Sequence, residues 1–137
     1  MRPETEQVEL FGQIILANEL DGNERAAYRF SDPDGVKTGK SGWSFGRCQF
    51  DTKNNPISRQ CLAACGFTPA EIDGIVDQTI DIRPQHARLK ANAAIIDRYD
   101  RVQLLDCIRR VKSVAVSKGI VFADDKAVLT AADYDNQ

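Results

Sequence analysis

Residues 19–51 read ELDGNERAAYRFSDPDGVKTGKSGWSFGRCQFD, and the change of texture inside this stretch decides the fold. Just upstream, residues 6–20 place Val8, Leu10, Phe11, Ile14 and Ile15 at helical spacing, which predicts an amphipathic first helix. Asp21, Gly22 and Asn23 end it, because glycine and asparagine accept the left-handed backbone that follows a helix. From Tyr28 to Asn55 the helical period is gone. Gly35, Gly39, Gly42 and Gly46 punctuate short runs that carry Tyr28, Phe30, Trp43, Phe45 and Phe50. Glycine supplies turn dihedrals and aromatic residues suit a pleated surface, so hairpin-like strands are expected over about residues 28–55.

Helical signals resume beyond this segment. Ser58 to Ala64 predicts a short helix closed by Gly66, and Thr68-Pro69-Ala70-Glu71 is a capping box that opens another, running to about Ile80. From Pro84 to Lys118, Leu89, Ile96, Tyr99, Val102, Leu105, Ile108 and Val111 form an apolar stripe. It predicts one very long helix or two joined near Asp100, with Gly119 as the stop and the stripe as core. A last short helix is expected between Asp125 and Tyr134. The expected class is mostly α (α+β): one domain over residues 1–137, a β-containing segment at about 28–55, and a helical remainder at 57–134. A chain of this length buries roughly two thirds of its unfolded surface without staples.

Composition excludes several functions. The formal charge is −2 and the pI near 5.4, whereas nucleic-acid-binding domains usually exceed a pI of ~9, so no nucleic acid is expected. No apolar run approaches the ~20 residues of a membrane span, so no membrane is expected either. The start, MRPETEQVELFGQ, lacks the apolar core of a secretory signal, which implies synthesis in the cytoplasm without a signal peptide. Residues 1–34 sum to −5 and residues 83–112 to +5; the basic stretch is either a solvated helix face or a surface for an acidic partner. Cys61 and Cys65 lie one helical turn apart, but with Cys48, Cys107 and the single His86 they make no convincing zinc set. Buried free thiols are the default reading, a disulfide being an option in an oxidising compartment. No metal and no cofactor is expected.

The chemistry-bearing ingredients sit in residues 19–51. Hydrolysing a glycosidic bond needs an acid to protonate the leaving oxygen and a second group that steadies the transition state or activates water. A glutamate leaving an apolar helix, Glu19, suits the first task, because partial desolvation favours the protonated acid. Glu24 lies past the stop signal and is the fallback. Asp34 or Asp32 is the candidate second carboxylate, although Asp-Pro-Asp-Gly by itself signals a β-turn. Thr38, Ser41 and Ser44 are candidates to position a water or the substrate, or else to cap turns. Tyr28 and Trp43 offer an apolar wall on which a sugar stacks, and Gln49 a polar contact to Glu19 or an N-acetyl group.

This layout resembles the lysozyme-like superfamily, which includes phage muramidases, lytic transglycosylases and bacterial chitosanases. Against the muramidases the matching residues are Glu19, Tyr28, Asp32 or Asp34, Gly35, Thr38, Gly39 and the Gly42/Gly46 pair. Against the transglycosylases they are Glu19 and Gly46-Arg47-Cys48-Gln49, while Leu20 stands where that branch usually carries serine. The resemblance covers about residues 8–55 and leaves the branch open. It implies a lysozyme-like helical domain with a small β-hairpin after the first core helix. It implies a peptidoglycan glycan-strand cleaving enzyme with Glu19 as general acid, glycan strands as partner and an inhibitor or immunity protein as a possible second one. Such an enzyme acts in the periplasm or on the cell wall after release or delivery, as an endolysin or antibacterial effector. The alternatives are a catalytically silent glycan-binding module, a chitosanase-like glycosidase, and a protein-interaction adaptor using the basic face of residues 83–112.

Overall fold

In the computed structural model, which describes residues 1–32, Gly35 and residues 39–137, helix α1 spans Glu4–Leu20. Glu4 and Glu6 in its first turn complement the helix dipole, which brings the start ahead of the predicted residue 6. Val8, Phe11, Ile15 and Leu16 form its buried stripe. Phe11 and Ile15 are completely buried, each stabilising the fold by about 1.5–3 kcal/mol. The stop falls where the sequence puts it. Asp21 (φ 52°) and Gly22 (φ 75°) turn left-handed, and Gly22 N–H caps the Leu16 carbonyl at 3.0 Å.

A 3-10 turn, Glu24–Tyr28, leads into a sheet far smaller than the expected strand region. Strands β1 (Ser44–Phe45) and β2 (Phe50–Asp51) pair antiparallel, with Ser44 opposite Asp51 and Phe45 opposite Phe50, and a bridge from Ser31 to Ser44 adds one more rung. The aromatic residues explain the difference. Phe30, Phe45 and Phe50 bury their rings against one another, with centroids 5.7 and 5.8 Å apart, and so serve the core rather than a broad sheet face.

Helix α2 (Pro56–Ala64) starts earlier than expected because Asn55 caps it and Pro56 fits the first position. Helix α3 (Pro69–Val76) carries the predicted capping box, Thr68 and Glu71 each bonding the other's backbone. It ends short of Ile80. Gln78 turns left-handed (φ 56°) and Ile80 folds back onto Gly74, where a Cβ would meet its Cγ2 at 2.7 Å. The long helical stretch is broken at Asn92 and not near Asp100: α4 is His86–Ala91, preceded by a 3-10 turn, and α5 is Ala93–Ser117. The Asn92 amide closes α4 on the Arg88 carbonyl at 2.8 Å. Leu89, Ile96 and Ile108 are fully buried as expected, but Val102 is 54 % exposed, so the stripe is not core throughout. Gly119 (φ 68°) ends α5, and α6 (Asp125–Asn136) opens on the Asp124 side-chain cap. The described residues are therefore mostly helical, with one small antiparallel sheet.

The buried side chains gather in two clusters. One joins the hairpin to α2, α3, α4 and the start of α5 around Phe45, Phe50, Leu62, Ile75, Leu89 and Ile96. The other lies between α1, α5 and α6 around Phe11, Ile15, Leu104, Ile108 and Val128, and Cys48 packs against both. Six of the eight cations in residues 83–112 are spent inside the fold: Arg83 on Asp81, Arg88 on Glu71, Arg101 on Glu9, Arg109 and Lys112 on Glu4, and Arg110 on Asp135. Such surface pairs each contribute roughly 0–1 kcal/mol, but they leave the basic stretch much less charge than its composition suggests. No helix among the described residues is long and apolar enough to cross a membrane.

Candidate functional site

The hairpin turn Gly46-Arg47-Cys48-Gln49 is braced from several sides. Gly46 sits at φ 79°, and a Cβ there would approach Asp100 Oδ1 to 2.9 Å and Phe50 Cδ2 to 3.2 Å, so the position requires glycine. Its N–H donates to the Ala27 carbonyl at 2.7 Å, tying the turn to the 3-10 segment. Its carbonyl accepts from Gln49 N–H at 3.1 Å and from Gln49 Nε2 at 2.9 Å. Gln49 is itself left-handed (φ 51°), and its Oε1 accepts from Ser31 Oγ at 2.8 Å. A non-glycine residue held there marks a place where the surroundings dictate the backbone.

The other brace comes from α5. Asp100, 2 % exposed, accepts from Arg47 N–H at Oδ2 and from Cys48 N–H at Oδ1, both at 3.0 Å. Burial pushes its carboxyl up to about 6, against the pull of those two N–H donors. The sequence reading passed over Asp100, although a signal was present: it is a lone acid one turn from Ile96 and one from Leu104, on the buried stripe. Behind the turn, a cavity of about 160 Å³ is lined by Gly12, Arg47, Asp97, Asp100 and Arg101. Arg47 reaches across it toward the Gly12 carbonyl (3.5 Å) and Glu24 (3.6 Å). The Cys48 thiol is pushed well up, by burial first and by the Asp100 charge next, which makes it a poor nucleophile.

Glu19 occupies the last turn of α1 and is exposed, so the desolvation expected of it is absent from the free chain. The reason is geometric: the buried stripe of α1 ends at Leu16, and the helix runs on beyond the core. Glu19 lines neither the cavity behind the turn nor the furrow described next. Glu24, also exposed, faces Arg47. Asp32 is half-buried and its Oδ1 accepts from Gly35 N–H at 3.2 Å, the turn geometry anticipated for it; Asp34 and Thr38 lie outside the described residues.

Among the expected substrate contacts, the half-buried Tyr28 donates its hydroxyl to Asp97 Oδ1 at 2.6 Å. Burial, followed by that bond, holds its phenol protonated well above the usual range. Tyr28 also walls a furrow of about 480 Å³ shared with Arg25, Arg29, His86 and Lys90. Trp43 is half-buried against the hairpin cluster, and its indole Nε1 is buried without a partner. Ser41 is half-buried as well. Ser44 differs from its expected role: it is 2 % exposed and pairs its backbone with Ser31 at 2.7 and 2.9 Å, so it is a strand residue inside the fold. The structure thus brings Ser31, Ser44 and Gln49 together, places Tyr28 on a separate furrow, and leaves Glu19 exposed at the end of α1, outside both lined spaces.

All four cysteines are free, and Cys61 and Cys65 lie one turn apart in the hairpin-side core, Cys65 N–H donating to the Cys61 carbonyl at 3.0 Å. No family model, no curated protein and no solved structure matches the chain.

Proposed function

We propose that this chain acts on the β-1,4-linked glycan of peptidoglycan as a muramidase or lytic transglycosylase with a lysozyme-like fold, Glu19 protonating the glycosidic oxygen. The observation that supports this most is the locked turn that follows α1 in the chain and touches it at Gly12. A hairpin of two-residue strands needs no buried carboxylate to hold it, and a buried acid is costly. Fixed geometry at that cost is what a binding groove requires of its supporting residues. The chain order also agrees: an apolar helix ending in Glu19, a short turn, a small glycine-rich hairpin, then helices. Gln49, held by Ser31 and Gly46, would offer an oriented polar edge to the sugar, with Trp43 and Tyr28 as apolar walls. Asp32, or Asp34, would steady the developing charge or hold the attacking water. Without a held water, the sugar's own hydroxyl closes an anhydro ring.

A second reading, a glycan-binding module without catalysis, is favoured by the exposure of Glu19. Product mass separates them. Incubation with purified cell wall is expected to release fragments with new reducing ends (hydrolysis) or fragments lighter by one water (transglycosylation), with chitosan as control for the chitosanase alternative. Glu19→Gln should abolish release. Wall binding without products, unaffected by that substitution, would establish the binding module instead.

A further inference from the structure

The furrow between the 3-10 turn Glu24–Tyr28 and helix α4 differs from the rest of the surface in its charge. Most cations of residues 83–112 are neutralised by acids of α1, α3 and α6. Arg25, Arg29 and Lys90, which line this furrow, take part in no ion pair among the described residues. The one acid on the wall, Glu24, is already faced by Arg47 at 3.6 Å. A histidine also lies on this wall. His86 lies against Phe30, ring centroids 6.1 Å apart, with Nε2 buried and without a partner. Its protonation is disfavoured by burial and by the nearby Arg29 guanidinium, while Asp81 opposes this. Tyr28, whose hydroxyl is anchored on Asp97, gives the furrow a fixed apolar wall.

We propose that this furrow is an anion-binding subsite in which Arg25, Arg29 and Lys90 bind a carboxylate carried by the glycan substrate. The inference rests on the glycan-cleaving reading and narrows it: the substrate is an acid-bearing polymer, not a neutral chitin-like or cationic one. Two sources supply that chemistry, the lactyl acid of a muramyl sugar and the free carboxylates of its peptide stem. Arg29 and Lys90 hold the head of the ligand by charge, and the furrow's volume of about 480 Å³ leaves room for the group that carries it.

The test uses the full chain carrying Glu19→Gln, so that bound glycan is not turned over, and calorimetry with three probes. These are chitotetraose, a peptide-free GlcNAc–MurNAc tetrasaccharide, and the same tetrasaccharide bearing stem peptides. At low salt an acid-bearing probe is expected to bind at least about tenfold tighter than chitotetraose, the equivalent of two charge contacts. High salt should erase the difference. Tighter binding of the peptide-free probe identifies the lactyl acid, and a gain only with the peptides identifies the stem. Arg29→Gln with Lys90→Gln should remove the advantage and leave chitotetraose unchanged; Lys90 and Arg29 are exposed, so the fold should tolerate both changes, and Lys90→Gln alone should remove part of the advantage. Equal binding of all three probes, or equal weakening of all three by the double variant, overturns the subsite while leaving the glycan reading intact. Binding of none of them overturns both.

Discussion

Replacing Asp100 by Asn tests the brace on the hairpin turn directly. The carboxylate is 2 % exposed and takes two backbone N–H groups at 3.0 Å. Burial nevertheless raises its carboxyl to about 6, against about 3.9 for an aspartate in an unfolded chain. The folded state therefore keeps a proton that the unfolded state has already lost. Stability from this group is fully present below about pH 4, falls as pH rises through about pH 6, and is level above that. A gap of about two pH units, at about 1.4 kcal/mol each, makes the fall about 3 kcal/mol. Asparagine does not titrate, so the variant lacks this component of the pH dependence. It keeps one carbonyl acceptor and strands one N–H, which costs about 1–3 kcal/mol throughout. Urea unfolding followed by the fluorescence of Trp43, the only tryptophan, reads the difference. Between about pH 4 and pH 7.5 the parent should lose about 3 kcal/mol more than the variant. A constant offset between the two curves across that range would refute the titrating buried acid.

Other outcomes follow from single side chains. Glu19→Gln should lower product release from purified wall by about 10²–10⁴, the usual contribution of a general acid, while changing stability by no more than about 0.5 kcal/mol because the residue is exposed. Gly46→Ala combines φ 79° with a 2.9 Å approach to Asp100 Oδ1, so a loss of about 1–3 kcal/mol in urea unfolding is expected. Phe11→Ala empties a fully buried site between α1 and α5 and should cost about 3–5 kcal/mol in the same assay.

Features set by a few adjacent residues were legible in the sequence. The Thr68–Glu71 box, the left-handed stop at Asp21 and Gly22, and Gly119 all stand where their residues put them, because capping and turn geometry are local. Features set by distant partners were not. Among the described residues of the hairpin region the strands are only two residues long because Phe30, Phe45 and Phe50 are claimed by the core, which no alternation pattern reveals. The break in the long helix lies at Asn92 because its own amide reaches back to Arg88, while the apolar period runs across the joint undisturbed. Asp100 was readable only as an oddity; its partners, the N–H groups of Arg47 and Cys48, lie more than fifty positions away. Glu19 continues the spacing of Phe11 and Ile15, so its period predicts burial, but the core ends before the helix does.

That mismatch bears on mechanism. An acid holds its proton best where water is excluded, and the free chain leaves Glu19 in water. If Glu19 protonates a leaving oxygen, the bound polymer itself must exclude the water, lying over the end of α1 against the rigid 46–49 turn. Binding energy from distant sugars then goes into assembling the reactive arrangement, which ties turnover, and not affinity alone, to the length of glycan bound. Steady-state kinetics on GlcNAc–MurNAc oligomers of increasing length should show kcat rising with length until the groove is filled. A module that only binds gives affinity that rises with length and no product at any length. A kcat independent of length would mean that the exposed carboxylate needs no help from the substrate, and the groove argument would fail even if Glu19 proved essential.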